Sequence, residues 1–408
     1  MTTPPTLDLH RVRSRFPALA ADDWAYFDNA GGSLVLGGVA ARISEYLLTT
    51  SVQTGASYPA SVRAVERLAA ARARIATLVG AARSDEIVLG PSTTVLLRFL
   101  ATAMAGQLAE GDEIIVTDFD HESNIGPWMG LRDRGVVVRT WSADPATGEI
   151  DLAALDALLT PRTRLVCVTH ASNILGTINP IREIAKRVHA AGARLCVDAV
   201  AYAPHRAVDV QASGADYYVF SFYKVYGPHF AVLWGRHEYL LELDGLYHYF
   251  YGKDVVPGKL EPGNTNYELA WGSAGIVDYL EEIGGASGRA GVEQAFAAIA
   301  AHEERLAARL LDWLNSRNDA RVVGLRRPDR AARVPTISFT FEGKRSDDVV
   351  RAVEKDQIAI RFGDFHSRRL VEHLGLARNG GVVRVSMVHY NTLEEVDRLT
   401  RALENAVR

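Results

Sequence analysis

Cysteine is nearly missing from this chain: two occur in 408 residues, Cys167 and Cys196. Each lies inside an apolar run of strand character, Leu165-Val-Cys-Val168 and Leu195-Cys-Val197. Thiols in such runs read as buried and inert, which leaves no disulfide framework and no exposed thiol nucleophile. No Cys/His cluster with metal-ligand spacing is present, so no metal is expected. No apolar run is long enough to cross a bilayer, so no membrane partner is expected. The first twenty residues mix acidic, arginine and proline residues without the apolar centre of a signal peptide. A cytoplasmic protein is expected by default. A strong charge of either sign is lacking too. The formal net charge is −4, and the basic residues are scattered, many beside acids, so a nucleic acid is not expected as a partner.

What the chain does have is an ordinary globular composition, 48% hydrophobic and 23% charged, and the length for a large core and more than one domain. Residues 6–16 read as a short amphipathic helix ended by Pro17. Residues 61–79 read as a helix with Ser61 as a candidate N-cap and Gly80 past its end. Short apolar strands then alternate with helices. The strands are expected at 86–89, 113–117, 136–140, 165–169, 194–197, 217–222 and 231–234, with helices at 152–159 and 181–191. This alternation implies βαβ units and a mostly parallel sheet covered on both faces, an α/β fold. From about residue 286 the pattern changes. A long Ala/Glu/Arg-rich helix runs to about 316, followed by strands at 336–341, 358–361 and 382–387 and a capping-box start at Thr392-Leu-Glu-Glu395. We expect a large domain over 24–285 and a smaller α+β domain formed by 1–23 and 286–408.

Chemistry concentrates at the ends of the expected strands, where parallel α/β sheets bind ligands. The run Asp216-Tyr-Tyr-Val-Phe-Ser-Phe-Tyr-Lys224 carries an amine inward to a Gly227-Pro228 turn. Desolvation makes a neutral amine cheaper, and a neutral amine can form a Schiff base. One strand earlier, Ala193-Arg-Leu-Cys-Val-Asp198 ends in a carboxylate. A Schiff-base lysine with a carboxylate for a pyridinium nitrogen is the pairing that pyridoxal phosphate (PLP) needs. Gly90-Pro-Ser92-Thr93-Thr94 opens a helix and can cradle a phosphate, though a plain Ser/Thr cap fits the segment as well. His121 can stack on an aromatic cofactor or be a loop residue. Asn173 can bond a phenolic oxygen or serve a turn. Ser221 follows on the lysine's strand. Arg384 sits inside Val382-Val-Arg-Val-Ser386, where a guanidinium fork suits a carboxylate or simply faces outward from the strand, and Arg361 follows Ile358-Ala-Ile360.

These residues place the chain in a recognisable pattern. It resembles the class V aminotransferase superfamily of fold-type I PLP enzymes, on its cysteine-desulfurase-like branch. The resemblance starts at Tyr26-Phe-Asp-Asn-Ala-Gly-Gly-Ser33, passes through 121–128, and is most specific from Thr169-His-Ala-Ser-Asn-Ile-Leu-Gly-Thr-Ile-Asn-Pro180 to Tyr226-Gly-Pro228. It ends in 385–397 with His389-Tyr-Asn-Thr-Leu-Glu-Glu-Val-Asp397. It implies a fold-type I large domain, PLP, an amino-acid substrate and a homodimer with active sites at the subunit interface. Residue by residue, Lys224 matches the lysine that bonds the cofactor, Asp198 the partner of the ring nitrogen, and His121 the stacking histidine. Asn173 matches the amide at the phenolic oxygen, and Ser92, Thr93 and Ser221 match phosphate-binding positions. Arg384 matches the arginine for the substrate carboxylate, with Arg361 a second active-site arginine and Ala30 on the substrate side. Asn264 or Thr265, in Glu261-Pro-Gly-Asn-Thr-Asn266, matches the segment that reaches the neighbouring subunit's phosphate.

The departures bear on function. Desulfurases of this type carry a persulfide-forming cysteine on the loop after the equivalent of Arg361. Here the loop reads Arg361-Phe-Gly-Asp-Phe-His-Ser-Arg368, and His366 occupies or neighbours that position. The histidine usual before the lysine is Tyr223, a glutamine usual after Asp198 is Ala201, and Asn264-Thr265 replaces Thr-Pro. The expected function is a PLP-dependent lyase acting on an amino acid, by C–S cleavage or decarboxylation, with Tyr223 or His366 assisting proton transfer. An aminotransferase or epimerase is the alternative among enzymes. A PLP-binding partner protein without turnover is the alternative outside them, and the joint presence of Lys224, Asp198 and Arg384 argues against it.

Overall fold

The short apolar runs become the strands of a seven-stranded sheet in the computed structural model, which describes residues 7–144 and 147–408. The strands lie in the order Ile87–Gly90, Ala231–Gly235, Tyr217–Ser221, Arg194–Asp198, Thr163–Thr169, Glu113–Thr117 and Val137–Trp141. The last five run parallel, and Ala231–Gly235 is antiparallel to both its neighbours. The inner strands are buried on both faces, which is why they read as unbroken apolar runs rather than as alternation. Helix Ile181–Ala190 shows the other period. It buries Ile181, Ile184, Ala185 and Val188 and leaves its charges outside.

A second sheet of four antiparallel strands holds Ala320–Val323, Thr336–Phe341, Val382–Ser386 and Arg361–Gly363. Its core packs Ile337, Phe339, Val383 and Val385 against Leu306, Leu310 and Leu314 of the long helix Gly288–Asn315. The first half of that helix, with Val292, Phe296 and Ile299, belongs instead to the core of the large sheet. The N-terminal helix Leu9–Ser14 also reaches both parts. Arg13 bonds the Tyr390 carbonyl and Glu395, while Arg11 and Arg15 pair with Glu282.

Several expected boundaries are corrected. The helix expected from 61 begins at Pro59 with Tyr58 in the cap position, because proline at the first turn costs no hydrogen bond. Ser61 lies inside it and donates to the Gln53 carbonyl instead of capping. Gly80 ends this helix with φ +69°, the left-handed conformation expected of it. The strand expected at 358–361 divides at Ile360. Ile358–Ala359 pairs with Ala25–Tyr26, and Arg361–Gly363 pairs with Val382–Ser386. The N-terminal helix starts at Leu9 rather than residue 6, and Thr6 lies outside the described residues.

Candidate active site

Register across the large sheet assembles the site. Thr169 is paired with Asp198, Asp198 with Val219, Ser221 with Ala231, and Ala231 with Gly90. Thr169, Asp198 and Ser221 therefore stand at the carboxyl ends of three neighbouring strands, next to the Gly90-Pro91 turn that opens helix Thr93–Met104. The chain brings Ser92, Thr93, His121, Asn173, Asp198, Ser221, Tyr223 and Lys224 around one cavity, with Thr94, Ser123, Thr169, Val200 and Ala201 completing its wall.

Lys224 ends a 3-10 turn, Phe222–Lys224, and is buried. Its amine makes no hydrogen bond or ion pair among the described residues, and lies 5.8 Å from the centre of the Tyr223 ring. Burial first, and then the charge of Arg384, push its pKa down to about 8 against the opposing pull of Asp198 and Asp28. Asp198 is buried and accepts from the Val200 N–H at 2.9 Å. Burial raises its pKa to about 6, and that backbone bond and the nearby Lys224 hold the rise back.

His121 accepts the Ser123 N–H at its Nδ1, 3.1 Å away, so its neutral ring carries the proton on Nε2. Burial, then the charges of Lys224, His366 and Arg384, push its pKa down to about 3. The helix entrance is a cluster of hydroxyls. Ser92 Oγ accepts from the Val95 N–H, Thr93 Oγ1 lies 2.7 Å from Ser221 Oγ, and Thr94 Oγ1 lies 2.6 Å from Ser123 Oγ. Ser92 is thus a helix cap and a wall of the cavity at once.

Asn173 is more engaged than the sequence indicates. Its Nδ2 donates to the Phe365 carbonyl at 3.0 Å, its Oδ1 accepts from Ser367 Oγ at 2.8 Å, and its own carbonyl accepts from Arg384 at 3.2 Å. One amide hydrogen remains for a ligand. The loop it holds is tightly turned, with Gly363, Phe365 and His366 at φ +129°, +51° and +60°. Non-glycine residues in that region need support from their surroundings. The Glu122 N–H supplies more of it, donating to the His366 carbonyl at 2.8 Å. The His366 ring is exposed, with its centre 5.2 Å from that of His121.

Arg384 is 2% exposed, and burial lowers its pKa to about 10. It faces Asp28, and Arg361, largely exposed, faces the same carboxylate. Asp28 was not singled out from the sequence. It lies 356 positions from Arg384, and nothing in its surroundings marks it except that it is an acid between an apolar run and small residues. Ala30, beside it, gives its N–H to Ser386 Oγ at 2.7 Å. Tyr223 lines the cavity and stacks on His229, with 5.0 Å between ring centres. Burial, then Asp198, raises its phenol's pKa. Asn264 and Thr265 line no part of this cavity. Asn264 is exposed and accepts from the Tyr247 hydroxyl at 3.1 Å, whereas the Thr265 hydroxyl is enclosed without a partner among the described residues.

This donor set fits pyridoxal phosphate. A buried, unpaired amine faces a buried carboxylate whose second oxygen has no bond from the backbone, and a hydroxyl cluster at a helix N-terminus suits a phosphate. Comparison with known proteins agrees. The family model described as aminotransferase class-V matches residues 25–399. The "Aminotransferase-like protein FGM3" of Gibberella zeae is 45% identical, with 98% of each chain covered. The "Cysteine desulfurase-like protein ustD" of Aspergillus flavus is 34% identical over 98% of this chain and 91% of its own. The crystal structure of the cysteine desulfurase CsdA from Escherichia coli superimposes with a TM-score of 0.85 at 27% identity, over 99% of both chains.

Proposed function

The chain belongs to the class V aminotransferase family and is a PLP-dependent enzyme, and we propose that it is a lyase acting on an amino acid, by C–S cleavage or decarboxylation, without holding sulfur on a cysteine. The observation that carries this reading is the composition of the loop 361–368. It presents His366 beside His121, and both cysteines are fully buried in strands of the large sheet.

Bound in the cavity, PLP supplies an electron sink for charge that develops at a substrate carbon. Lys224, with its pKa near 8, is neutral in part at physiological pH; it is the amine for the cofactor and then the carrier of the substrate's α-proton. Asp198 would hold the proton on the ring nitrogen, and His121 would offer a flat neutral face to the ring. Asn173 would donate its remaining amide hydrogen to the phenolic oxygen. Ser92, Thr93 and Ser221 take the phosphate, and Asn264 or Thr265 does so from a second copy of the chain. Arg384 grips the α-carboxylate, with Arg361 and Ala30 on the substrate side. The Tyr223 phenol, held in its protonated form, and the His366 imidazole stand as proton donors to a leaving group. A homodimer accompanies this reading. Leu47, Leu48, Tyr58, Val62 and Val65 are exposed apolar residues on or beside helices Gly37–Thr49 and Pro59–Val79, which supports a covered face there.

The test is a panel of amino acids watched by cofactor absorbance, with mass spectrometry of the products. The lyase reading expects one amino acid to perturb the spectrum and to yield a side-chain fragment, sulfide or CO2. Its likeness to an aminotransferase-like protein favours transamination as the second reading. A keto acid formed with an amino acceptor, and no fragment, would replace the first reading by the second.

A further inference from the structure

We propose that Asp28 is a built-in carboxylate that occupies Arg384 and Arg361 in the free protein and yields Arg384 to the substrate's carboxylate, so that it sets how strongly carboxylates bind. The inference rests on the reading of Arg384 as the carboxylate-binding residue.

Asp28 uses both oxygens on the pair. Oδ1 lies 3.2 Å from Arg384 Nη2, and Oδ2 lies 3.5 Å from Arg361 Nη1. These are long for charge-assisted bonds, which usually fall below about 2.9 Å. The two arginines differ in freedom. The Arg384 side chain is 2% exposed, fixed by the Asn173 carbonyl and stacked on the Phe365 ring, and its Nε is buried without a partner. Arg361 is 59% exposed. A guanidinium as buried as Arg384 needs a counter-charge, and among the described residues Asp28 supplies it.

The Asp28 side chain is less enclosed than that of Arg384. It is 27% exposed, so it has solvent on one side into which to turn. Its carboxylate is tucked against Gly31, where a Cβ would lie 2.7 Å from Oδ2. Long contacts, a fixed cation with an unused donor and a partly exposed anion describe an exchangeable pair. An incoming carboxylate that replaces Asp28 on Arg384 leaves the charge of the site balanced, with Asp28 retained by Arg361 or released to water. A tethered competitor of this kind acts at a high effective concentration, in the millimolar range or above, and weakens every free carboxylate alike.

Acetate binding to the PLP-loaded protein, measured by calorimetry at low ionic strength, tests this without a known substrate. Wild type should bind acetate weakly. Asp28→Asn, which keeps the shape and removes the charge, should bind it roughly ten- to a hundredfold more tightly. The gain should vanish in Asp28→Asn combined with Arg384→Met. Asp28→Ser, which keeps a hydroxyl for the guanidinium, is measured in parallel and should show the same direction. Unchanged or weaker binding in both Asp28 variants would overturn the proposal and make Asp28 a fixed support of Arg384. If Arg384→Met alone leaves wild-type acetate affinity unaltered, the assignment of Arg384 falls, whatever Asp28 does.

Discussion

The guanidinium of Arg384 lies over the ring of Phe365, 3.6 Å from its centre. A cation stacked this closely on an aromatic face is held electrostatically as well as by packing. The contact joins the middle of the four-stranded sheet to the loop that carries His366. Arg384 and the loop residue next to His366 are therefore held against one another.

Removing Arg384 should cost about 2–4 kcal/mol of transition-state binding, roughly 30- to 1000-fold in kcat/KM. PLP content should stay at the wild-type level, if the arginine serves the substrate as proposed rather than the cofactor. Arg384→Lys should restore little, since an ammonium lacks the planar fork and the stacking face. Loss of PLP from Arg384→Ala would make the residue structural.

Borohydride should trap PLP on Lys224, and Lys224→Ala should abolish the adduct, as read by peptide mass spectrometry. An adduct on another lysine contradicts the site. The depressed pKa of Lys224 also predicts a pH dependence in the cofactor-free protein. The folded value, about 8, lies below the ordinary lysine value of 10.5, so the unfolded chain binds more protons between the two. Wild-type stability from this group is present above 10.5 and lost as pH falls through 8. Cofactor-free Lys224→Met should therefore be more stable than wild type at pH 7, with the difference shrinking from pH 8 to 10.5. A pH-independent difference in denaturant midpoints would show that the amine is not desolvated.

Asp198→Ala should retain part of its PLP and lose most activity, because the ring nitrogen then keeps no proton. Near-normal turnover would remove Asp198 from the mechanism. Both this carboxylate and Lys224 were legible from the sequence, because each ends an unbroken apolar run and parallel strands present their carboxyl ends to ligands. The sheet itself was legible for the same reason. Asp28 and Ser367 were not, since their partners Arg384 and Asn173 lie 356 and 194 residues away and no local period records such a contact. The division at Ile360 was also hidden. The run Ile358-Ala-Ile-Arg361 has one composition, but its two ends pair with different strands.

Ser367→Ala deletes the bond to Asn173 Oδ1 and should cost about 1 kcal/mol of stability. Its larger effect should be local. Amide hydrogen exchange in peptides covering 363–370 should accelerate, with little change in the strands of the large sheet. His366→Gln should leave that exchange slow, because the loop is held by its backbone and by Ser367 rather than by the imidazole. Equal exchange in wild type and Ser367→Ala would mean that Asn173 does not hold the loop.

The central claim is a PLP lyase that never carries sulfur on its own thiols. Cys167 and Cys196 are 0% exposed, so neither offers an accessible thiol, and burial drives the Cys167 pKa well up. The most direct measurement combines wild type and a Cys167→Ala, Cys196→Ala variant, each incubated with L-cysteine and the amino-acid panel and followed by intact-protein mass spectrometry and product analysis. The account predicts no protein-bound sulfur in wild type, any released sulfur as sulfide or a small molecule, and the same specific activity in the folded cysteine-free variant. A persulfide on Cys167 or Cys196 during turnover, together with activity lost in the folded variant, would contradict it and make the protein a cysteine desulfurase.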